Sequence, residues 1–235
     1  MDLVAPGLWR WTAPHPDWEP ADGGPGGWEP DVACVRLDSP EGVVLIDPLA
    51  PPEGTDDADR FWEGIDRSVA ASGRPVTVVV TLHWHLRSTE GVAARYGSKP
   101  GVEVWANEPV RERLGDVVTD VFDDGDRLPG GIVGLGPVPI DSSDVDADGA
   151  VEEAALWLPE QRAVVVGDIL VGTPEGLRVW WSDRSDPVYE RRVAPFVRRL
   201  AELPVEIVLP AHGEPVLSDG SSELGRALAA PPWSR

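Results

Sequence analysis

The sequence predicts an α/β fold, and three observations predict it. Short apolar, β-branched runs recur at 42–48, 75–82, 163–166 and 205–209. Segments with apolar residues at helical spacing lie between them, most clearly at 57–72 and 187–203. The apolar strands then end on polar residues, Asp47, His83 and His85, Asp168 and His212, and strand-end loops are where α/β scaffolds place their chemistry. At 235 residues the chain is long enough for one domain over 1–235, and no repeat or linker divides it.

Each element has a local reason. Gly7–Thr12 and Asp31–Asp38 alternate as strands do, and the segment from Pro14 to Pro30, rich in Pro, Gly and Trp, reads as a long loop. Gly42–Pro48 is a buried strand carrying Asp47 near its end. Asp57–Ser72 is a helix through Phe61, Ile65 and Val69. Pro75–Leu82 is a third buried strand, and Ser88–Tyr96 a helix with Ser88 or Thr89 as its cap. Val102–Ala106 is a strand and Glu108–Leu114 a short helix. The Gly-rich stretch 116–136 reads as hairpins, and the stretch 141–153, with six acids and no base, as a solvated loop. Ala154–Leu158 and Ala163–Val166 flank a turn as a hairpin does. Pro187–Leu203 is amphipathic through Tyr189, Val193, Phe196, Leu200 and Leu203, with Pro195 as a kink point. Val205–Leu209 is the last strand, and Ser222–Ala230 closes the chain as a helix.

Charge and cysteine content exclude several function classes. With 41 acidic and 20 basic residues the formal charge is −21, which repels phosphate backbones and anionic lipid, so neither nucleic acid nor a membrane is an expected partner. Cys34 is the single cysteine, so an internal disulfide and a thiolate zinc cluster are both excluded. Met1–Pro6 has no basic n-region and no long apolar stretch, and no apolar run approaches membrane-spanning length. The expectation is a cytoplasmic protein acting on a small-molecule substrate or ligand, of open oligomeric state. Eleven tryptophans are read first as core, Trp84 included, some of them could line a ligand cleft, and Trp180 and Trp181 fit either a dimer contact or burial in the same subunit.

The chemistry centres on His83-Trp84-His85-Leu86-Arg87-Ser88. In an extended segment, histidines at i and i+2 point to one side and could grip one metal ion. Together with Leu45-Ile46-Asp47, Gly167-Asp168 and Ala211-His212-Gly213, this stretch resembles the metallo-β-lactamase superfamily. That family carries Thr-His-x-His-x-Asp-His where this chain has Thr81-Leu82-His83-Trp84-His85-Leu86-Arg87-Ser88. The resemblance covers nearly the whole chain and implies a four-layer αββα sandwich with a metal site at one edge. It implies His83 and His85 as first-metal ligands, Asp168 as a bridging carboxylate and His212 as a second-metal ligand. Asp168 or His212 would then orient a metal-bound water for hydrolysis.

The departures limit what can bind. Arg87 and Ser88 stand where the family has a carboxylate and an imidazole. The family's further histidine falls near Gly149, where this chain has none, leaving Asp148, Glu152 or Glu153 as substitutes. A dinuclear site needs about six or seven protein ligands, and four are at hand. One state is a mononuclear site with zinc, or less readily iron or manganese, on His83, His85, Asp168 and His212. It would serve a hydrolase of small esters, thioesters, lactones or amides. The other state is metal-free and non-catalytic. There Arg87 pairs with Asp168 or anchors a small anionic ligand or a partner protein.

Overall fold

A computed structural model of the chain describes residues 1–24, 27–140, 145–146 and 149–233. Its first half contains β1 (Asp2–Ala5), β2 (Leu8–Pro14), β3 (Asp31–Ser39), β4 (Gly42–Ile46), α1 (Asp56–Ser72), β5 (Val76–Val79), α2 (Thr89–Tyr96), β6 (Val102–Ala106), α3 (Glu108–Leu114) and β7 (Asp120–Val121). The second half contains β8 (Val133–Pro139), β9 (Val145–Asp146), β10 (Gly149–Ala150), β11 (Glu152–Leu158), β12 (Ala163–Thr173), β13 (Gly176–Val179), α4 (Ala194–Glu202), β14 (Ile207–Gly213) and α5 (Gly220–Ala229).

Strand alternation decides the layering, because successive side chains leave a strand on opposite faces. In β4, Val43 and Leu45 pack under α1 through Phe61, Ile65 and Val69, while Val44 and Ile46 face the other way. In β12, Val164 and Val166 pack under α4 and α5 through Phe196, Leu200 and Leu224, while Ala163 and Val165 face Val44 and Ile46 in a shared central core. Three apolar cores therefore separate helices, sheet, sheet and helices. The expected four-layer αββα sandwich is what the packing forms.

The strands run in the order β7-β6-β5-β4-β3-β14-β12-β11-β8, with β2 beside β3 and β13 beside β12. β3 and β14 pair at His212 opposite Val32. The two halves of the sandwich thus meet beside one of the candidate site residues. β12 and β14 run parallel, and between the pairs Val166–Pro210 and Val171–His212 the register shifts. Asp168 sits on this bulge, as functional side chains often do. Gly213 passes so close to β12 that a Cβ there would stand 1.9 Å from the Gly172 carbonyl oxygen, at φ +78, so only glycine fits after His212.

Several sequence expectations are corrected. The 116–136 stretch turns back once, through Gly134 N–H to Asp126 O at 3.0 Å, and its ends join two different neighbours, β7 on β6 and β8 on β11. The acidic 141–153 stretch is not all solvated loop: β9 pairs with β10, and Glu153 is 0% exposed within β11. In 187–203, Tyr189–Val193 forms a wide π-type turn before α4. Pro195 lacks the N–H that would close the ordinary bond to Arg191, which explains the widening. Trp84 is 48% exposed, whereas Trp181 is fully buried. No helix among the described residues is long and apolar enough to cross a membrane.

Local capping supports α1. The extended Thr55 accepts the Ala58 N–H through Oγ1 at 3.1 Å, and Asp56, Asp57 and Asp59 lie in the positive first turn. Thr55→Ala is expected to cost about 1 kcal/mol, read as a lower denaturant midpoint at unchanged slope.

Candidate metal centre

Four chain segments converge, at the ends of β4, β5 and β14 and at the bulge midway along β12, where the sequence placed a strand end. Asp47 follows β4 at φ +49, with its N–H donating to the Val79 carbonyl at 3.0 Å. That bend brings its carboxylate back over the β5 end. Oδ1 accepts the Thr81 N–H at 2.9 Å, and Oδ2 accepts the Thr81 hydroxyl at 2.6 Å. The same Oδ2 lies 3.0 Å from His85 Nδ1. Asp47, the polar residue near the end of the β4 run, thus sets the rotation of the His85 ring. A carboxylate on one imidazole nitrogen is the usual way to aim the other at a metal.

His85 Nε2 lies 3.3 Å from Asp168 Oδ1, and His212 Nε2 lies 3.1 Å from the same oxygen. One ligand atom from each of His85, Asp168 and His212 lies within 4.8 Å of the others. Asp168 Oδ1 is buried, yet neither imidazole contact lines up with it as a hydrogen bond. Ligand atoms about 2.0–2.2 Å from a tetrahedral zinc stand roughly 3.3–3.5 Å from one another. The short separations and the orphaned oxygen therefore fit a shared cation, and a His₂–carboxylate donor set suits zinc, iron or manganese.

The charges agree with this geometry. Burial alone would push the Asp168 carboxyl up, but His85 and His212 outweigh it and hold the group well below the usual carboxylate range. Burial and Arg87 oppose protonation of His85, yet Asp168 and Asp47 outweigh them and raise its pKa to about 9. Burial keeps His212 below its ordinary value despite Asp168.

Glu153 supports the site from beneath. Its Oε2 accepts the Asp168 N–H at 2.5 Å and the Ile169 N–H at 3.1 Å. A Cβ at Gly167 would stand 2.8 Å from that oxygen, so the bulge lies directly on the carboxylate. Burial, then the negative Asp168, raises the Glu153 pKa to about 8. Of the three acids considered as substitutes for the missing histidine, Glu153 is the one the fold brings beside Asp168. Glu152 instead pairs with Arg192 at 2.6 Å, and Asp148 lies outside the described residues.

Two expected site residues stand elsewhere. His83–Leu86 forms a 3-10 turn, not an extended end. Three residues per turn place i and i+2 on different sides, so His85 enters the cluster while half-buried His83 is turned toward Trp84, ring centroids 5.0 Å apart. Arg87, at φ +42, donates through Nη1 to the carbonyls of Ala33 at 3.2 Å and Asp47 at 3.1 Å. Among the ion pairs of the described residues, none joins Arg87 to Asp168. The Ser88 hydroxyl accepts the Ala50 N–H at 2.9 Å, and its N–H donates to Pro48 O at 2.9 Å. Arg87 and Ser88 therefore fasten the loop carrying Asp47.

Sequence reasoning left open which tryptophans line a cleft, and the structure makes an aromatic wall of two. Trp28 and Trp180 meet the His212 ring at 4.9 and 5.3 Å between centroids, and His15 packs edge-on against Trp28 at 5.3 Å. These residues come from the long Pro/Trp loop and from just beyond β13, and no spacing rule in the sequence links them.

No protein-family model matches the chain, and no curated protein matches it. Solved structures do. A metallo-β-lactamase from Pontibacter korlensis is 17% identical over 96% of this chain and 94% of its own, with a TM-score of 0.60. A metallo-β-lactamase family protein from Thermus thermophilus is 20% identical over 96% of this chain and 79% of its own, at 0.55. The metallo-β-lactamase FIM-1 from Pseudomonas aeruginosa, solved in a mono-zinc form, is 17% identical over 97% and 94%, at 0.55. The chain has the metallo-β-lactamase fold, in a divergent sequence.

Proposed function

We propose that this chain is a metal-dependent hydrolase with one divalent ion, zinc before iron or manganese, held by His85, Asp168 and His212. Its substrate would be a small ester, thioester, lactone or amide. The observation that carries this is the convergence of His85 Nε2 and His212 Nε2 on the buried, unsatisfied Oδ1 of Asp168. Such an ion, when bound, supplies Lewis acidity and a water of lowered pKa. The chain's own residues do the rest. Asp47 keeps the His85 ring in one orientation, and Glu153 holds the Asp168 backbone on its bulge. Trp28 and Trp180 shield His212 from bulk water. The net charge of −21 disfavours polyanionic substrates.

The contacts of His85 with two carboxylates support a second reading, a metal-free and non-catalytic site in which His85 is the cation. Arg87 Nη1 is engaged by backbone carbonyls, so in that reading an anionic ligand or partner would meet its other N–H donors. Elemental analysis of protein purified without added metal, followed by reconstitution with zinc, iron and manganese, separates the two. The hydrolase reading expects close to one ion per chain and chelator-sensitive turnover of p-nitrophenyl acetate, a thioester or a lactone. Failure of all three metals to bind above background, with thermal stability indifferent to EDTA, would overturn it.

A further inference from the structure

A second candidate site lies away from this cluster. A cavity of about 830 Å³ opens between α1 and β2 and shares no lining residue with His85, Asp168 and His212. That volume suits a small organic molecule. Part of its wall is aromatic, from Trp9, Trp11 and Phe61, and part is cationic, from Arg36, Arg60 and Arg67. Arginines gathered in one cavity are notable in a chain with 41 acids and 20 bases.

The three cations are not equivalent. Arg36 is buried, bonded through Nε to Asp38 at 2.9 Å and through Nη2 to Ser68 at 2.6 Å, and lies 5.5 Å from the Trp9 ring centre. Arg60 pairs with Asp57 at 2.5 Å. Arg67 is exposed at the rim and has no ion-pair partner among the described residues. One uncompensated cation matches a monoanion better than a phosphate or other polyanion.

A further observation points to a ligand. Gly64 lies mid-way along α1 and lines the cavity, and a Cβ there would meet nothing within 4 Å. A mid-helix glycine costs about 1 kcal/mol relative to alanine. No close approach or positive φ calls for it here; its effect is to keep the cavity open.

We propose that this cavity binds a small amphipathic carboxylate. Its flat or acyl body lies against Trp9, Trp11 and Phe61, and its carboxylate meets Arg67. The test is calorimetric titration with 2-naphthoate and with decanoate, checked by tryptophan fluorescence, beside inorganic phosphate and decanol. Expected is saturable one-to-one binding of a carboxylate probe tighter than roughly 1 mM, unchanged by EDTA, with phosphate and decanol at least about tenfold weaker. Gly64→Leu should weaken binding about tenfold or more by filling the space while raising the melting temperature through helix propensity. Arg67→Gln, on the exposed face, should weaken it about tenfold. Absence of carboxylate binding, equal binding of decanol or phosphate, or full binding by both variants would overturn the proposal. EDTA sensitivity would assign the ligand to the metal cluster instead.

Discussion

Asp168→Asn is expected to lower zinc affinity by at least about 100-fold and to remove hydrolytic turnover with it. Loss of an outer-sphere partner alone typically costs about 10–100-fold, and Asp168 contributes the charge at the centre of the cluster. Asparagine keeps the side-chain shape and leaves the backbone N–H on Glu153, so the fold persists and the loss reads the site. The measurement is competition with a chromophoric chelator across pH. In the metal-free protein the His85 pKa is raised from 6.5 to about 9. The proton on His85 therefore stabilises the fold fully below about 6.5, and that contribution is lost as pH rises through about 9. Zinc needs the neutral ring, so its apparent affinity should rise across that window, by up to about tenfold per pH unit. In Asp168→Asn one of the two carboxylates holding the proton is gone, and the rise should move to lower pH. Unchanged affinity and an unchanged pH profile would sink the assignment of these ligands.

Glu153→Ala is expected to destabilise the chain by about 3–5 kcal/mol. It orphans the buried N–H groups of Asp168 and Ile169, at about 1–3 kcal/mol each, and opens a void under Gly167. Glu153→Gln keeps an acceptor and isolates the charge. The Glu153 pKa is raised from 4.5 to about 8. Its contribution is fully present below about 4.5 and lost as pH rises through about 8. In EDTA-treated protein, the wild type should therefore lose stability relative to Glu153→Gln between about pH 5 and about pH 9. Denaturant melts at those two pH values decide it: an equal gap at both would show that Glu153 is not a buried acid of this kind.

The sequence carried the frame because the frame is local. Phe61, Ile65 and Val69 share a helix face by spacing alone, and all three are buried in α1. The continuous apolar runs of β4 and β12 likewise name strands buried on both sides. His85, Asp168 and His212 were legible as strand-end residues. What the sequence could not give was anything set by a turn's local winding or by chain brought from far away. The 3-10 turn at His83–Leu86 separates two histidines that an extended strand would have paired. Glu153, inside an acidic run that reads as solvated, is buried because β11 carries it under the β12 bulge.

Arg87 and Ser88 show the same division most clearly. The resemblance to the metallo-β-lactamase motif implied that two ligands were missing. Only the folded chain showed that their replacements bond to Ala33, Asp47, Pro48 and Ala50, and so hold the loop from which Asp47 reaches His85. Periodicity records which face of an element meets the core, and that much each segment determines for itself. Which residue meets which across the sandwich depends on how the β3–β14 junction brings the two halves together, and no single segment encodes it.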